Sequence, residues 1–155
     1  RAASAPLGNE AHRRGRGEPG LSGSRADFRQ ERSMPDKKKL VIVISRGFDD
    51  ERASVAWSIA NGGLNNDLDV SIFLVSAGVD WARKGAGQGA HLNPFDPTMD
   101  EMIQKVVDAG CRIMVCPPCA KARGLTEEHL IESAVIQGSG GMHELIKEGA
   151  ATLSF

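Results

Sequence analysis

No apolar run in the 155-residue chain approaches the roughly 18 to 20 residues that a bilayer crossing needs, which sets a membrane-spanning helix aside. Charge of either sign is not in excess. The formal net charge is −1 and the pI about 6.5, so nothing draws the chain electrostatically to nucleic acid. Cysteine is scarce: three residues, unevenly spaced, cannot make the disulfide framework of a small secreted domain, and no apolar signal segment opens the chain. A reducing, cytoplasmic setting is the expectation. Aromatic residues are only 5% of the chain, so the 41% hydrophobic content is mostly aliphatic, and it suffices for one sizeable core.

What is present divides into two unlike parts. From Arg1 to about Ser33 the chain is rich in Arg, Gly, Ser and Ala and lacks apolar periodicity, so burial cannot offset its ordering entropy. Residues 1–33 are therefore expected to be a disordered leader. Met34 stands just ahead of the first apolar run, which marks it as a natural start, with 1–33 a leader or an artificial extension. A transit peptide fits poorly, because Glu10, Glu18, Asp27 and Glu31 are acidic. Residues 34–155 form the expected domain.

The punctuation of that domain alternates strand and helix signals. Leu40 to Ser45 is a continuous β-branched run that suits a strand covered on both faces. Asp49 or Asp50 caps a helix carrying Ala53, Ala56, Trp57 and Ala60, which is expected to stop at Gly62-Gly63. Val70 to Val75 is a second buried strand, turned off its end by Ser76-Ala77-Gly78. A loop through Gly85, Gly87 and Gly89 to Pro94 and Pro97 is too long for a plain connection and reads as a lid. Thr98 to Glu101 is a capping box, followed by a stripe of Met99, Met102, Ile103 and Val106 and a stop at Gly110. A third strand runs from Cys111 to about Val115, a short helix follows Cys116, and Thr126 caps a turn through Leu130. Ala134 to Gln137 is a fourth strand, Gly138 to Gly141 opens a helix with Met142, Leu145 and Ile146 inward, and Thr152 to Phe155 closes the chain as a strand. Such alternation implies an α/β layer fold with a mostly parallel sheet.

In an open parallel sheet, chemistry gathers beyond the carboxyl ends of the strands. Cys116 is at such an end, as are Arg46-Gly47, the turn to Gly78, and the Gly138-Ser139-Gly140-Gly141 run. Pro117 and Pro118 suit the first turn of a helix, so Cys116 would meet a helix start that favours its thiolate, with Lys121 and Arg123 adding positive charge. Cys119, about one turn on, is within reach for a reversible disulfide. Cys111, in contrast, reads as a small buried hydrophobe. No metal is expected, since two close thiols with scattered His129 and His143 do not make a four-ligand zinc site. His143 lies on the first turn of the last helix, where a surface role and a place near the thiols are both open. The glycines around Ser139 serve equally as an anion cradle or as a flexible turn. Gly85-Ala86-Gly87-Gln88-Gly89 lacks the third glycine of a nucleotide fingerprint at the required spacing, and no cofactor is expected.

Four stretches together carry a resemblance. They are Val41 to Gly47 with Asp49-Asp50-Glu51-Arg52-Ala53 after it, Val70 to Val79, Met114-Val115-Cys116-Pro117-Pro118-Cys119-Ala120-Lys121-Ala122-Arg123-Gly124-Leu125-Thr126, and Gly141 to Ile146. From about Leu40 to Phe155 the chain resembles the DsrE/DsrF-like family, small sulfur-relay proteins that include the Tus components of transfer-RNA thiolation. The resemblance implies a three-layer α/β/α fold with a five-stranded, mainly parallel sheet. It also implies a homotrimer or homohexamer that works with sulfur donor and acceptor proteins. In sulfur-carrying members a cysteine at the end of the third strand, followed by a short stretch ending in Arg-Gly, accepts sulfur as a persulfide. The matching position is Cys116, with Arg123-Gly124 downstream. Cys119 departs from the single-cysteine Tus pattern and weighs against pure sulfur carriage, because a neighbouring thiol tends to discharge a persulfide as a disulfide. The implied activity is that of a sulfurtransferase or sulfur carrier, with Cys116 and Cys119 as its catalytic thiols and Cys119 resolving. Candidate binding residues around them are Arg46, Gly47, Gly78, Arg123, Gly138, Ser139, Gly140 and His143. A thiol-disulfide oxidoreductase or redox sensor using the same pair, and a non-catalytic oligomeric binding module, stand beside that reading.

Overall fold

The computed structural model describes residues 37–155, so the expected leader and the start at Met34 lie outside the described residues. Five strands, β1 (Lys39–Ile44), β2 (Asp69–Leu74), β3 (Arg112–Val115), β4 (Ala134–Ile136) and β5 (Ala151–Ser154), form one sheet in the order β4-β3-β2-β1-β5. Every neighbouring pair is parallel. Four helices connect them: α1 (Arg52–Asn65), α2 (Met99–Asp108), α3 (Pro117–Ala122) and α4 (Gly140–Lys147).

The layers follow from strand alternation and crossover handedness. Leu40, Ile42, Ile44, Ile72, Leu74 and Ile113 point to one face, where they join Trp57 of α1 and Met99 and Met102 of α2 in the main core. The residues between them, Val41, Phe73 and Met114, point to the other face and pack with Met142 and Leu145 of α4. The steps from β1 to β2 and from β2 to β3 move across the sheet in one direction, whereas α4 leads back past three strands to set β5 outside β1. With right-handed crossovers throughout, that reversal sends α4 to the opposite face. The result is the expected three-layer α/β/α arrangement.

Several local expectations need correction. Helix α1 runs through Gly62-Gly63 to Asn65 and turns at Asp67, whose φ is 60°. Gly63 is there for packing, because an added Cβ would come within 2.9 Å of the Val70 side chain. Asp50 does serve the start of α1, accepting the Arg52 N–H at 3.0 Å on its carboxylate. Ile146 faces outward and is 42% exposed. Gly141, Met142 and Leu145 already define the inward side of α4, and at 100° per residue Ile146 falls about 90° from its centre.

The glycine-rich segment is a strap tied across the starts of α1 and α2. Met99 N–H donates to the Ala90 carbonyl at 3.0 Å, and Ser54 of α1 donates to the Asp96 carboxylate at 2.7 Å. Gly87 lies so close beneath Asp100 that a Cβ would sit 2.7 Å from its Cα. The segment expected to be a lid is thus held down by its own contacts. The capping box forms as expected, with Thr98 Oγ1 accepting the Glu101 N–H at 3.3 Å and Glu101 accepting the Thr98 N–H at 2.8 Å. Among the described residues no helix is long and apolar enough to cross a membrane.

Candidate functional site

Strand β3 delivers Cys116 to the carboxyl edge of the sheet, where it becomes the cap of α3 with Pro117 and Pro118 in the first turn. The prolines suit this place because the first helical amides have no partner within the helix. Cys116 N–H still pairs with the Leu74 carbonyl of β2 at 3.0 Å, while its own carbonyl accepts the Ala120 N–H at 2.9 Å. Cys116 and Cys119 are both half-buried and both free thiols. They sit against each other: burial pushes the Cys116 thiol up, the backbone N–H of Cys119 works against that rise, and the Cys119 side chain adds to it. The expectation of an easily formed Cys116 thiolate at the helix start is thus reversed for the resting pair. The desolvation of a thiol lodged between the two sheet-face clusters outweighs the donor at the start of α3.

Cys119 has a contact that the sequence did not announce. Its Sγ accepts the Ser76 backbone N–H at 3.2 Å. Ser76 begins a 3₁₀ segment, Ser76–Ala82, in place of a simple turn, and its φ of 50° is unusual for a residue with a side chain. Two glycines let this segment press against the end of β1. A Cβ on Gly78 would lie 2.2 Å from the Ile44 carbonyl oxygen, and one on Gly47 would lie 3.1 Å from Ala77 Cβ. Trp81, fully buried, donates its indole N–H to the Arg46 carbonyl at 2.9 Å, and Phe48 stands edge-on against the same ring at 4.5 Å.

Arg123 serves as a clamp. Its Nε donates to Asp80 Oδ2 at 3.1 Å, Asp80 Oδ1 takes Arg83 Nε at 2.9 Å, and Arg83 Nη2 returns to the Arg123 carbonyl at 3.0 Å. Arg123 Nη1 also reaches the Cys119 carbonyl at 3.4 Å. Its charge is largely answered by Asp80, so it fixes α3 against the 3₁₀ segment. Asp80 is the second residue that sequence reasoning missed. Its place three residues before Arg83 was the available signal.

The remaining candidates spread along the rim. Arg46 pairs with Asp50, Nε to Oδ2 at 3.5 Å, and Asp50, held down to about 2 mainly by Arg52, belongs to the start of α1. In strand order Arg46 and Gly47 lie two strands from Cys116. Gly138, Ser139 and Gly140 follow β4 through Gln137, whose N–H pairs with the Val115 carbonyl at 3.0 Å, so this turn leaves the strand next to the one that ends at Cys116. A Cβ at Gly138 or Gly140 would meet nothing within 4 Å. Ser139 caps α4 without a side-chain bond, its carbonyl takes the His143 N–H at 2.9 Å, and His143 is exposed. Ser76, Asp80 and Arg123 are thus gathered around the thiols. Arg46 and Gly47 instead brace the 3₁₀ segment.

Known proteins give this arrangement a relationship. An uncharacterized protein of Methanocaldococcus jannaschii is 34% identical over 119 residues, covering 76% of this chain and 99% of its own length. Another, from Methanopyrus kandleri, is 34% identical over 109 residues, covering 69% of this chain and 83% of its own. The crystal structure of ychN protein from E. coli superposes with a TM-score of 0.61 at 19% identity, over 76% of this chain and 99% of that one. A protein of unknown function from Methanobacterium thermoautotrophicum superposes with a TM-score of 0.57 at 21% identity, over 77% and 100%. At those identities the solved structures speak for the fold. The model of the DsrE/DsrF-like family matches residues 37–155, and the chain belongs to that family.

Proposed function

We propose that the protein is a sulfur-relay component that carries sulfane sulfur as a persulfide on Cys116 and uses Cys119 as the thiol that discharges it. The observation that carries the reading is the pair itself: two free, half-buried thiols against each other at the carboxyl edge of β3, in a chain of the DsrE/DsrF-like family. Attack by Cys119 on Cys116 Sγ expels hydrosulfide and leaves a disulfide. The sulfane sulfur is reduced and the two thiols are oxidised, with no further reagent. Partners are then a sulfur-donating and a sulfur-accepting protein. Self-association belongs to the same reading, supported by the apolar Val135 and Ile146, 45% and 42% exposed, on the face that α4 covers.

The test is mass spectrometry after exposure to inorganic polysulfide. The unmodified protein should end largely as the Cys116–Cys119 disulfide, and Cys119→Ser, whose Cys116 excess polysulfide loads directly if more slowly, should hold one added sulfur there for much longer. If both hold the adduct equally, Cys119 has no discharging role. The adjacency of the thiols also favours a second reading, a dithiol oxidoreductase. It wins if neither protein takes up sulfur while the pair cycles readily with a thioredoxin-type reductant.

A further inference from the structure

We propose that Cys119 is the nucleophile of the thiol pair, with the Ser76 amide as the hydrogen-bond donor aimed at its sulfur. The inference comes from where the β2–β3 hydrogen-bond ladder breaks. Cys116 N–H pairs with the Leu74 carbonyl at 3.0 Å, and in a parallel ladder the next bond would run from Ser76 N–H to the Cys116 carbonyl. That carbonyl is instead taken by Ala120 N–H at 2.9 Å as α3 begins. Ser76, turned to a φ of 50°, directs its amide to Cys119 Sγ at 3.2 Å. Its neighbours Val75 and Gly78 give theirs to the Ile44 and Ser45 carbonyls, so the turn is built from both sides to leave the Ser76 amide on the sulfur. An amide bonded to an anionic acceptor is a charge-assisted hydrogen bond, and the thiolate is the reactive form of cysteine. Cys116 complements this arrangement: burial favours its protonated form, and its S–H can face Cys119.

The inference deepens the sulfur-relay reading and rests on it only for the identity of the incoming sulfur. Cys119 thiolate attacks the outer sulfur of a donor persulfide. A bond forms from Cys119 to that sulfur, the donor's S–S bond breaks, and the donor leaves as a thiolate. Cys116, giving up its proton, then takes the same sulfur and returns Cys119 to a thiol. Neither transfer changes the total oxidation state, so no oxidant is required.

Partial alkylation decides the assignment. The reduced full chain is treated with a deficit of iodoacetamide near neutral pH and cut with trypsin. Cys116 and Cys119 then share the peptide Ile113–Lys121, and fragmentation between them reads the label at each, while Cys111 leaves on the preceding peptide. Label on Cys119 should exceed that on Cys116 by about tenfold. Equal label, or more on Cys116, overturns the assignment. Ser76→Gly keeps the amide and accepts a positive φ, so the excess should persist. Ser76→Val resists that conformation and should bring the ratio near parity. An undiminished excess in a Ser76→Val protein with an unchanged circular dichroism spectrum removes the role of the amide. The two readings fail separately. Cys119 labelled first in a protein that takes up no sulfur refutes the relay alone, and sulfur uptake with Cys116 labelled first refutes this inference alone.

Discussion

Gly78 is the residue whose side-chain space is most tightly denied. With a Cβ 2.2 Å from the Ile44 carbonyl oxygen, Gly78→Ala has to push β1 and the 3₁₀ segment apart. It should lower stability by about 3 kcal/mol, read as a fall in the urea midpoint. Gly138→Ala meets open space and should stay within about 1 kcal/mol of the unmodified protein. Cys111 is constrained by burial: desolvation pushes its thiol up from the ordinary 9.0, with Asp69 adding to the rise. A thiol raised in the folded state contributes stability that is complete below the unfolded value. That contribution is lost as pH climbs from about 9 through the folded value, so unfolding should ease on the alkaline side. Cys111→Ser should flatten that limb of the stability profile, and Cys111 should alkylate last of the three thiols. At this scale the sequence was legible where chemistry is carried by residue type and opaque where it is carried by the backbone. Cys116 and Cys119 declare themselves by spacing. The Ser76 amide does not, because nothing in Ser-Ala-Gly specifies that its first residue takes a positive φ.

Elements were legible in proportion to the strength of their end signals. Helix α2 carries a full capping box and the expected buried stripe, and it begins where the signals put it. Helix α1 overran its expected stop because a glycine pair reads alike whether it ends a helix or lets a strand approach one. Only the contact of Gly63 with Val70 tells them apart. The inward side of α4 was overestimated because a short helix buries a narrower stripe than a period of 3.6 allows. Thr98→Ala should cost about 1 kcal/mol, as loss of an N-cap usually does. The cap is also pH-dependent: the Thr98 hydroxyl and N–H hold the Glu101 carboxyl below its ordinary 4.5. Its contribution is therefore present above that value and lost as pH falls below it. A melting series in acid should narrow the gap between Thr98→Ala and the unmodified protein without closing it, since the Glu101 N–H bond to Thr98 Oγ1 does not titrate. The Asp80 clamp works between elements. Asp80→Asn weakens the tie between α3 and the 3₁₀ segment, at about 1 kcal/mol for a pair this accessible. Its stronger effect should be on the ratio of Cys119 to Cys116 alkylation, since Arg123 also reaches the Cys119 carbonyl.

For the molecule as a whole, the two faces of the sheet are unequally clothed, with α1 and α2 over the main core and α4 over the smaller one. Light scattering should therefore give a mass above the 16.5 kDa of one chain, and Val135→Glu with Ile146→Glu should bring it down to the monomer. Layering was legible from strand and helix alternation. The strand order was not, because the partner of β5 is fixed by the direction in which α4 crosses. That order also carries a sense of time. β1, β2 and β3 assemble through successive local crossovers, but β5, exposed along its whole length, joins β1 only by closing almost the entire described chain into one loop. Long closure is entropically slow, and an edge strand is the first to fray. Deuterium should enter the amides that β5 gives to β1 long before it enters those between β1 and β2. A rim built around β2 and β3 would stay assembled while the margin of the sheet opens and closes beside it.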